Sequence, residues 1–239
     1  MPTAAADSAR AAALTRWQDG VWRWRAPALR GLTAGVVDRA ADAQILARAL
    51  APRLGSVQAQ QVHGASTACL LGAAMPSPLI PGCDALVTAT PGLALAIRTA
   101  DCLPILVWDP IRRAVGAMHA GWRGLQQTLP MRVVTVMSQV FGARASEVWA
   151  VIGPSIRPCC YDVGPEFEAR FPEFVSVRDG RRICDLAACA AAQLAQAGVP
   201  AGQILDSGVC TGCDTARWFS VRKEGDGTGR LLSFAMIER

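Results

Sequence analysis

Thr99-Ala-Asp-Cys-Leu-Pro-Ile-Leu-Val-Trp-Asp-Pro-Ile-Arg-Arg-Ala-Val-Gly-Ala-Met-His-Ala-Gly-Trp-Arg-Gly124 is the stretch whose reading decides the fold. Leu103 to Trp108 is a short apolar run, Asp109-Pro110 a turn signal, and Ala114 to Met118 a second run of small and apolar residues. The pattern predicts strand, tight turn, strand. Cys102 then lies just before the first strand and His119 just after the second. Antiparallel strands joined by a tight turn bring their outer ends together, so these two residues, 17 apart in sequence, become neighbours. A thiol beside an imidazole can hold a soft-to-borderline metal ion or work as nucleophile and base. The spacing leaves both open.

The whole chain sets the bounds. Its 239 residues suit one large domain or two small ones and can bury a sizeable core. At 51% hydrophobic and 18% charged residues, the composition is that of a globular protein, not a disordered one. The positive mean hydropathy comes largely from alanine. No apolar run reaches the roughly 18 residues of a membrane span, since Arg98 and Asp101 interrupt the best candidate. Asp7, Arg10, Arg16 and Asp19 break up the first thirty residues, which argues against a secretory signal and for a cytoplasmic protein. The net charge of +5 comes from scattered arginines, with Lys223 the single lysine, so neither nucleic acid nor membrane is expected as a partner.

Nine cysteines in such a chain read as reduced thiols, mostly small buried hydrophobes. Cys210-Thr-Gly-Cys213 has a ligand-like spacing, and Cys184 and Cys189 are the partners to weigh for a structural zinc site. Those two fall at the start of an expected helix, roughly 140° apart around its axis, which disfavours the set. Cys159-Cys160 follow a proline and read as loop thiols.

The two histidines say more. His63 in Gln60-Gln-Val-His-Gly64 and His119 in Met118-His-Ala-Gly-Trp122 each end a strand-like run and meet a nearby glycine, which allows a sharp turn or a close approach. With Cys102 they make three candidate ligands, and three protein ligands leave a fourth tetrahedral position open, as in catalytic zinc sites.

In chain order, Met1 to about Asp19 reads as a frayed start, and Trp17, Trp22 and Trp24 as core anchors in strand-like alternation. Ala40 to Leu54 is an expected helix, Ser56 to His63 a strand, and Pro76 to Gly82 a loop. Ala85 to Thr88 and Leu93 to Arg98 read as a hairpin across Pro91-Gly92. A helix through Val133, Val134, Met137 and Val140 follows Gly124 despite Pro130. Val148 to Ile152 is a strand, Pro165 to Phe171 a short helix, Asp185 to Ala197 an amphipathic helix stopped by Gly198, and Leu231 to Ile237 a last strand. Clustered strands with helices set apart, and no repeat or shift in composition, predict one α+β domain over residues 1–239.

Gln61-Val-His-Gly64, Thr99-Ala-Asp-Cys-Leu-Pro104, His119-Ala-Gly-Trp-Arg-Gly124, Gly153-Pro-Ser-Ile156, Cys210-Thr211, Phe219-Ser220 and Thr228-Gly-Arg230 together resemble the YfiH-like laccase-domain family. The matches run in order from about residue 56 to the C-terminus. The resemblance implies a single-domain, four-layer α/β/β/α sandwich with mixed sheets. It also implies a mononuclear metal, zinc or copper, held by His63, Cys102 and His119. The family was described earlier as polyphenol oxidases and is now regarded as purine nucleoside phosphorylases. The implied activity is phosphorolysis of adenosine, inosine and methylthioadenosine, with adenosine deamination beside it. The partners are then a small nucleoside and phosphate, and the chain is expected to act as a monomer.

Zinc with an open position acidifies water, which suits attack on a purine ring. Phosphorolysis also needs an anion site. Arg123, at an expected helix start, is a candidate clamp, with Arg222 and Arg230 as further substrate-binding candidates. Asp101 is a candidate to orient a ligand histidine, or a turn residue. Where family members carry arginine-diglycine-serine and serine-leucine-asparagine segments, this sequence has Gly31 to Asp38 and no asparagine, so a narrowed or altered substrate range is expected. Two other readings stand beside the first. One is a copper oxidoreductase, since His-His-Cys ligation suits copper, although four-electron oxygen reduction normally employs several coppers. The other is a metal-free hydrolase with Cys102 as nucleophile and His119 as base, where a role in editing cell-wall precursors would belong.

Overall fold

The computed structural model describes residues 13–18, 20–41, 55–72 and 78–239. At its centre, β9 (Leu103–Asp109) and β10 (Ala114–Ala120) pair antiparallel across the Asp109-Pro110 turn. The Asp109 carboxylate accepts the N–H groups of Ile111 and Arg112. Both strands are buried along their whole length, which accounts for apolar runs without alternation. His119 lies inside β10, opposite Pro104, one residue short of the end of the pairing and not beyond it.

The pair sits in the middle of one of two sheets. The six-stranded sheet has the order β14 (Ile204–Asp206), β11 (Trp149–Ile152), β9, β10, β7 (Ala85–Thr88), β5 (Thr67–Leu70). The seven-stranded sheet runs β1 (Ala13–Gln18), β2 (Val21–Arg25), β3 (Leu32–Val37), β15 (Leu231–Ile237), β8 (Ala94–Thr99), β4 (Ser56–Gln60), β6 (Leu79–Pro81). Trp24, Leu32, Leu86, Leu95, Ile97, Leu106, Trp108, Val115 and Ala235 form one apolar layer between the sheets. On the far side of the six-stranded sheet, α2 (Leu129–Phe141) and α4 (Leu186–Gln196) bury Val133, Met137, Ala190 and Leu194 against it. Asp185 caps α4 by accepting the N–H of Ala188. This is a mixed α+β architecture, as the strand and helix patterns predicted.

Several expectations need correction. β7 and β8 are not a hairpin: the chain passes from one sheet to the other between them, so each strand is buried on both faces. Residues 13–18 form a strand instead of a frayed start, with Trp17 exposed under the Arg23 guanidinium rather than in the core. Leu79–Pro81 is a strand inside the expected proline loop. The strand before His63 ends at Gln60. The helix after Gly124 is two helices, α1 (Trp122–Gln126) and α2, broken at Thr128 in the left-handed region (φ 57°). Pro130 is tolerated because it sits in the first turn of α2, where its missing N–H breaks no bond. A short helix, α3 (Glu166–Arg170), appears where expected. The hairpin β12 (Val175–Arg178) and β13 (Arg181–Cys184) was not foreseen, although Asp179-Gly180 between them, both at positive φ, is a turn signature. Residues 42–54 of the expected helix lie outside the described residues.

Truncating the layer between the sheets tests this packing. Leu86→Ala is expected to lower unfolding free energy by about 2–5 kcal/mol in a urea titration, because Leu86 is fully enclosed between the sheets.

Candidate metal centre

His63 and Cys102, from two connections, converge on His119 in β10, with the three ligand atoms within 4.8 Å of one another. Cys102 lies in the link from β8 in one sheet to β9 in the other. The two imidazoles meet edge to face, 4.7 Å between centroids. Gly121 makes the approach possible: a Cβ there would come within 3.0 Å of the Cys102 sulfur and 3.6 Å of the His63 ring.

Asp84 fixes this arrangement. Fully buried just before β7, its carboxylate accepts from His119 Nδ1 at 2.8 Å and from the N–H groups of Val62 (3.2 Å), His63 (2.9 Å) and Gly64 (2.7 Å). With Nδ1 engaged, Nε2 of His119 is the nitrogen left for a ligand. His63 takes a left-handed backbone (φ 59°), and its loop is pinned to β8 by Gln61, whose side chain donates to the carbonyl and accepts from the N–H of Arg98, both at 2.7 Å. The role foreseen for Asp101 belongs to Asp84. Asp101, also at positive φ (82°), is instead a tie between loops: its carboxylate accepts from Thr211 Oγ1, Ser220 Oγ and the N–H of Arg222, each at 2.7 Å, and its carbonyl from the N–H of Ile156. Four captured bonds explain why a non-glycine residue holds this conformation.

The electrostatics of the metal-free chain follow from these contacts. Burial alone pushes the Cys102 thiol up, but hydrogen bonds and charge from His119 and His63 outweigh it and bring the thiol down to about 6. Burial disfavours the charged His119, yet hydrogen bonds to Asp84 and Cys102 raise it to about 9. Burial likewise works against the Asp84 carboxylate, and its bonds to His119, Gly64 and Val62 still hold it below the usual range. Thiolate and imidazolium therefore coexist between about pH 6 and about pH 9. One sulfur and two imidazole nitrogens, with His63 exposed on one side, fit a borderline divalent ion such as zinc and also suit copper.

The three ligands lie in a cavity of about 460 Å³ lined also by Gln61, Arg98, Tyr161, Arg222, Asp226 and Arg230. Arg222, at the start of α5 (Val221–Glu224), lies over the Tyr161 ring and donates to the Asp162 carbonyl. Arg230 donates to the carbonyls of Thr228 and Gly229. Arg123 is elsewhere: it is exposed, stacks on Trp122 and does not line this cavity. Its helix α1 is five residues long. Sequence reasoning missed Asp84, Gln61, Arg98 and Tyr161. The one signal available for Asp84 was an acid set directly before the apolar run Ala85-Leu-Val87.

The model of the family described as multi-copper polyphenol oxidoreductase laccase matches residues 33–238. The chain belongs to this family. Among its curated relatives, a purine nucleoside phosphorylase of Deinococcus radiodurans is 42% identical over 161 residues, 65% of this chain and 62% of the relative. An adenosine deaminase, RL5, from an unknown prokaryotic organism is 36% identical over 163 residues, 64% and 62% respectively. These matches span less than two thirds of the relatives' length. Among solved structures, YlmD of Geobacillus stearothermophilus superposes with a TM-score of 0.87 at 28% identity, covering 95% of this chain and 100% of that one. No described helix is long and apolar enough to cross a membrane.

Two measurements test this laccase-family centre. In chelator-treated protein, iodoacetamide labelling of Cys102 is expected to titrate near pH 6, because the folded site lowers its pKa, while Cys184, pushed up to about 12, stays unlabelled at neutral pH. A Cys102 midpoint near the ordinary thiol value would contradict the geometry. Asp84→Ala is expected to cost about 3–5 kcal/mol of stability, the usual penalty for stripping one partner from a buried ionic pair, and to move that midpoint upward as His119 loses its support.

Proposed function

We propose that the protein is a zinc-dependent purine nucleoside phosphorylase acting on adenosine, inosine and methylthioadenosine, with adenosine deamination as a companion activity. One observation carries the reading: three ligand side chains share a cavity with three arginines, Arg98, Arg222 and Arg230. A site that pairs an electrophilic centre with clustered guanidinium groups suits a neutral nucleoside together with phosphate. The volume lies within the usual range for small-molecule sites. The names of the relatives support the same chemistry.

In phosphorolysis a phosphate oxygen bonds to the sugar C1′ as the bond from C1′ to the purine nitrogen breaks. Arg222 and Arg230, each anchored to a backbone carbonyl, are the groups to hold the phosphate monoanion or dianion in place. Asp84 keeps His119 in one tautomer and orientation. Zinc bound by His63, Cys102 and His119 would supply a Lewis acid that makes hydroxide available at neutral pH for attack on the adenine ring.

The copper reading has less support. The chain has two histidines, and both belong to this one centre. The cysteine-hydrolase reading draws on the lowered Cys102 and raised His119, a pairing seen in nucleophilic cysteines.

Incubation of zinc-characterised protein with adenosine and phosphate is expected to yield adenine and ribose 1-phosphate, with inosine or hypoxanthine reporting deamination. His63→Ala, Cys102→Ala and His119→Ala should each reduce bound zinc and abolish both activities. Arg222→Ala and Arg230→Ala should raise the KM for phosphate on the order of ten- to a hundredfold, the loss of one charge-assisted hydrogen bond. Amide or ester hydrolysis that survives chelation and disappears only in Cys102→Ala would hand the site to the hydrolase reading.

A further inference from the structure

A second cluster of ligand-type side chains, this one all sulfur, lies outside the centre described above. Cys159, Cys160, Cys210 and Cys213 bring their four sulfurs within 4.8 Å of one another. Cys159 and Cys160, read from the sequence as loop thiols, stand beside Cys210 and Cys213, and the set with Cys184 and Cys189, which the helix geometry disfavoured, does not form. Cys184, at the end of β13, and Cys189, on the inner face of α4, are buried in the core.

The backbone brings the two pairs together. β11 and β14 run parallel, with Ile152 opposite Asp206, so their C-terminal connections leave the sheet side by side. The pairing continues as a bridge between Ser155 and Cys210. Arg157 locks the connections with donations to both Asp206 carboxylate oxygens at 2.6 and 2.5 Å and to the Val209 carbonyl at 3.3 Å. Gly212 closes the gap: a Cβ there would lie 3.0 Å from the Cys160 Cβ and 3.2 Å from its sulfur. Cys210 and Cys213 are joined by a turn in which the Cys213 N–H donates to the Cys210 carbonyl. The Cys213 sulfur stands 3.5 Å from the sulfurs of both Cys159 and Cys160. A tetrahedral zinc–thiolate centre with bonds of about 2.3 Å has sulfur–sulfur edges of roughly 3.8 Å, close to the 3.5 Å of the two Cys213 pairs and inside the 4.8 Å that spans all four sulfurs.

We propose that Cys159, Cys160, Cys210 and Cys213 form a second metal site, a closed four-thiolate centre for zinc or a similarly thiophilic divalent cation. Its donor set differs from that of the first centre: four sulfurs fill a tetrahedron and leave no position for substrate, so the role is structural. The ion ties together two connections that wall the neighbouring cavity. Tyr161, next to Cys160, lines that cavity. Thr211, between Cys210 and Cys213, donates to Asp101 beside Cys102. Four thiolates this close repel unless a cation sits among them, and binding releases their protons.

The test reads metal, not activity. In His63→Ala/Cys102→Ala protein, which removes two ligands of the first centre and leaves the Asp84–His119 pair intact, about one zinc per chain is expected to remain. Cobalt loading of that variant should give sulfur-to-cobalt charge-transfer absorption. Adding Cys159→Ser and Cys213→Ser should abolish both signals, and circular dichroism establishes whether that variant has folded. If His63→Ala/Cys102→Ala protein holds neither zinc nor cobalt, the site does not exist. An intact mass two hydrogens short per bridge, with the missing thiols mapped to these four residues, would make the cluster a disulfide and overturn the proposal equally.

Discussion

Asp84 keeps a negative charge where no water reaches it, and the folded chain closes four donors around it: the His119 imidazole and the N–H groups of Val62, His63 and Gly64. A buried carboxylate is tolerated only when nearly all of its hydrogen-bonding capacity is met. That requirement does two things at once. It sets the orientation of His119, and it holds the otherwise unfavourable backbone of the His63 loop against the six-stranded sheet. A histidine in a loop and a histidine in a strand thus answer to one carboxylate, so the centre is assembled by electrostatic necessity and not only by shape.

Asp101 plays a comparable part on the other wall. Its side chain gathers Thr211, Ser220 and Arg222 from two later segments, while its carbonyl takes the N–H of Ile156. Because Cys102 follows it directly, the sulfur's position depends on the connections after β11 and β14 being in place. The cluster of Cys159, Cys160, Cys210 and Cys213 joins those same two connections. The cavity therefore owes its form to contacts on both sides of the ligands: a carboxylate beneath His119, and a tied pair of loops beyond Cys102.

Much of this was legible in the sequence where local signals were strong. The Asp109-Pro110 turn between two apolar runs placed β9 and β10 and brought Cys102 near His119. Histidines so few, each close to glycine, singled out His63. The α4 boundaries followed from Asp185 and Gly198. What escaped reading was long-range. Apolar runs such as Ala85–Thr88 and Ala94–Thr99 carry no mark of which sheet they join, so two strands close in sequence read as a hairpin when they belong to different layers. Asp84 looks like any acid beside a strand until the fold buries it. Cys159-Cys160 gained partners only through the parallel pairing of β11 with β14, which links segments about fifty residues apart. Arg123, by contrast, had a suggestive local motif, and the fold turned it onto Trp122 and away from the cavity.

The path of the chain between layers has one more consequence. β4 and β8 lead toward His63 and Cys102 from the seven-stranded sheet, whereas β10 carries His119 in the six-stranded one. An ion gripped by all three would act as a rivet through the seam between the two sheets. Slippage of one layer over the other would move the β4 and β8 ends against His119, so cation affinity would double as a gauge of inter-layer alignment.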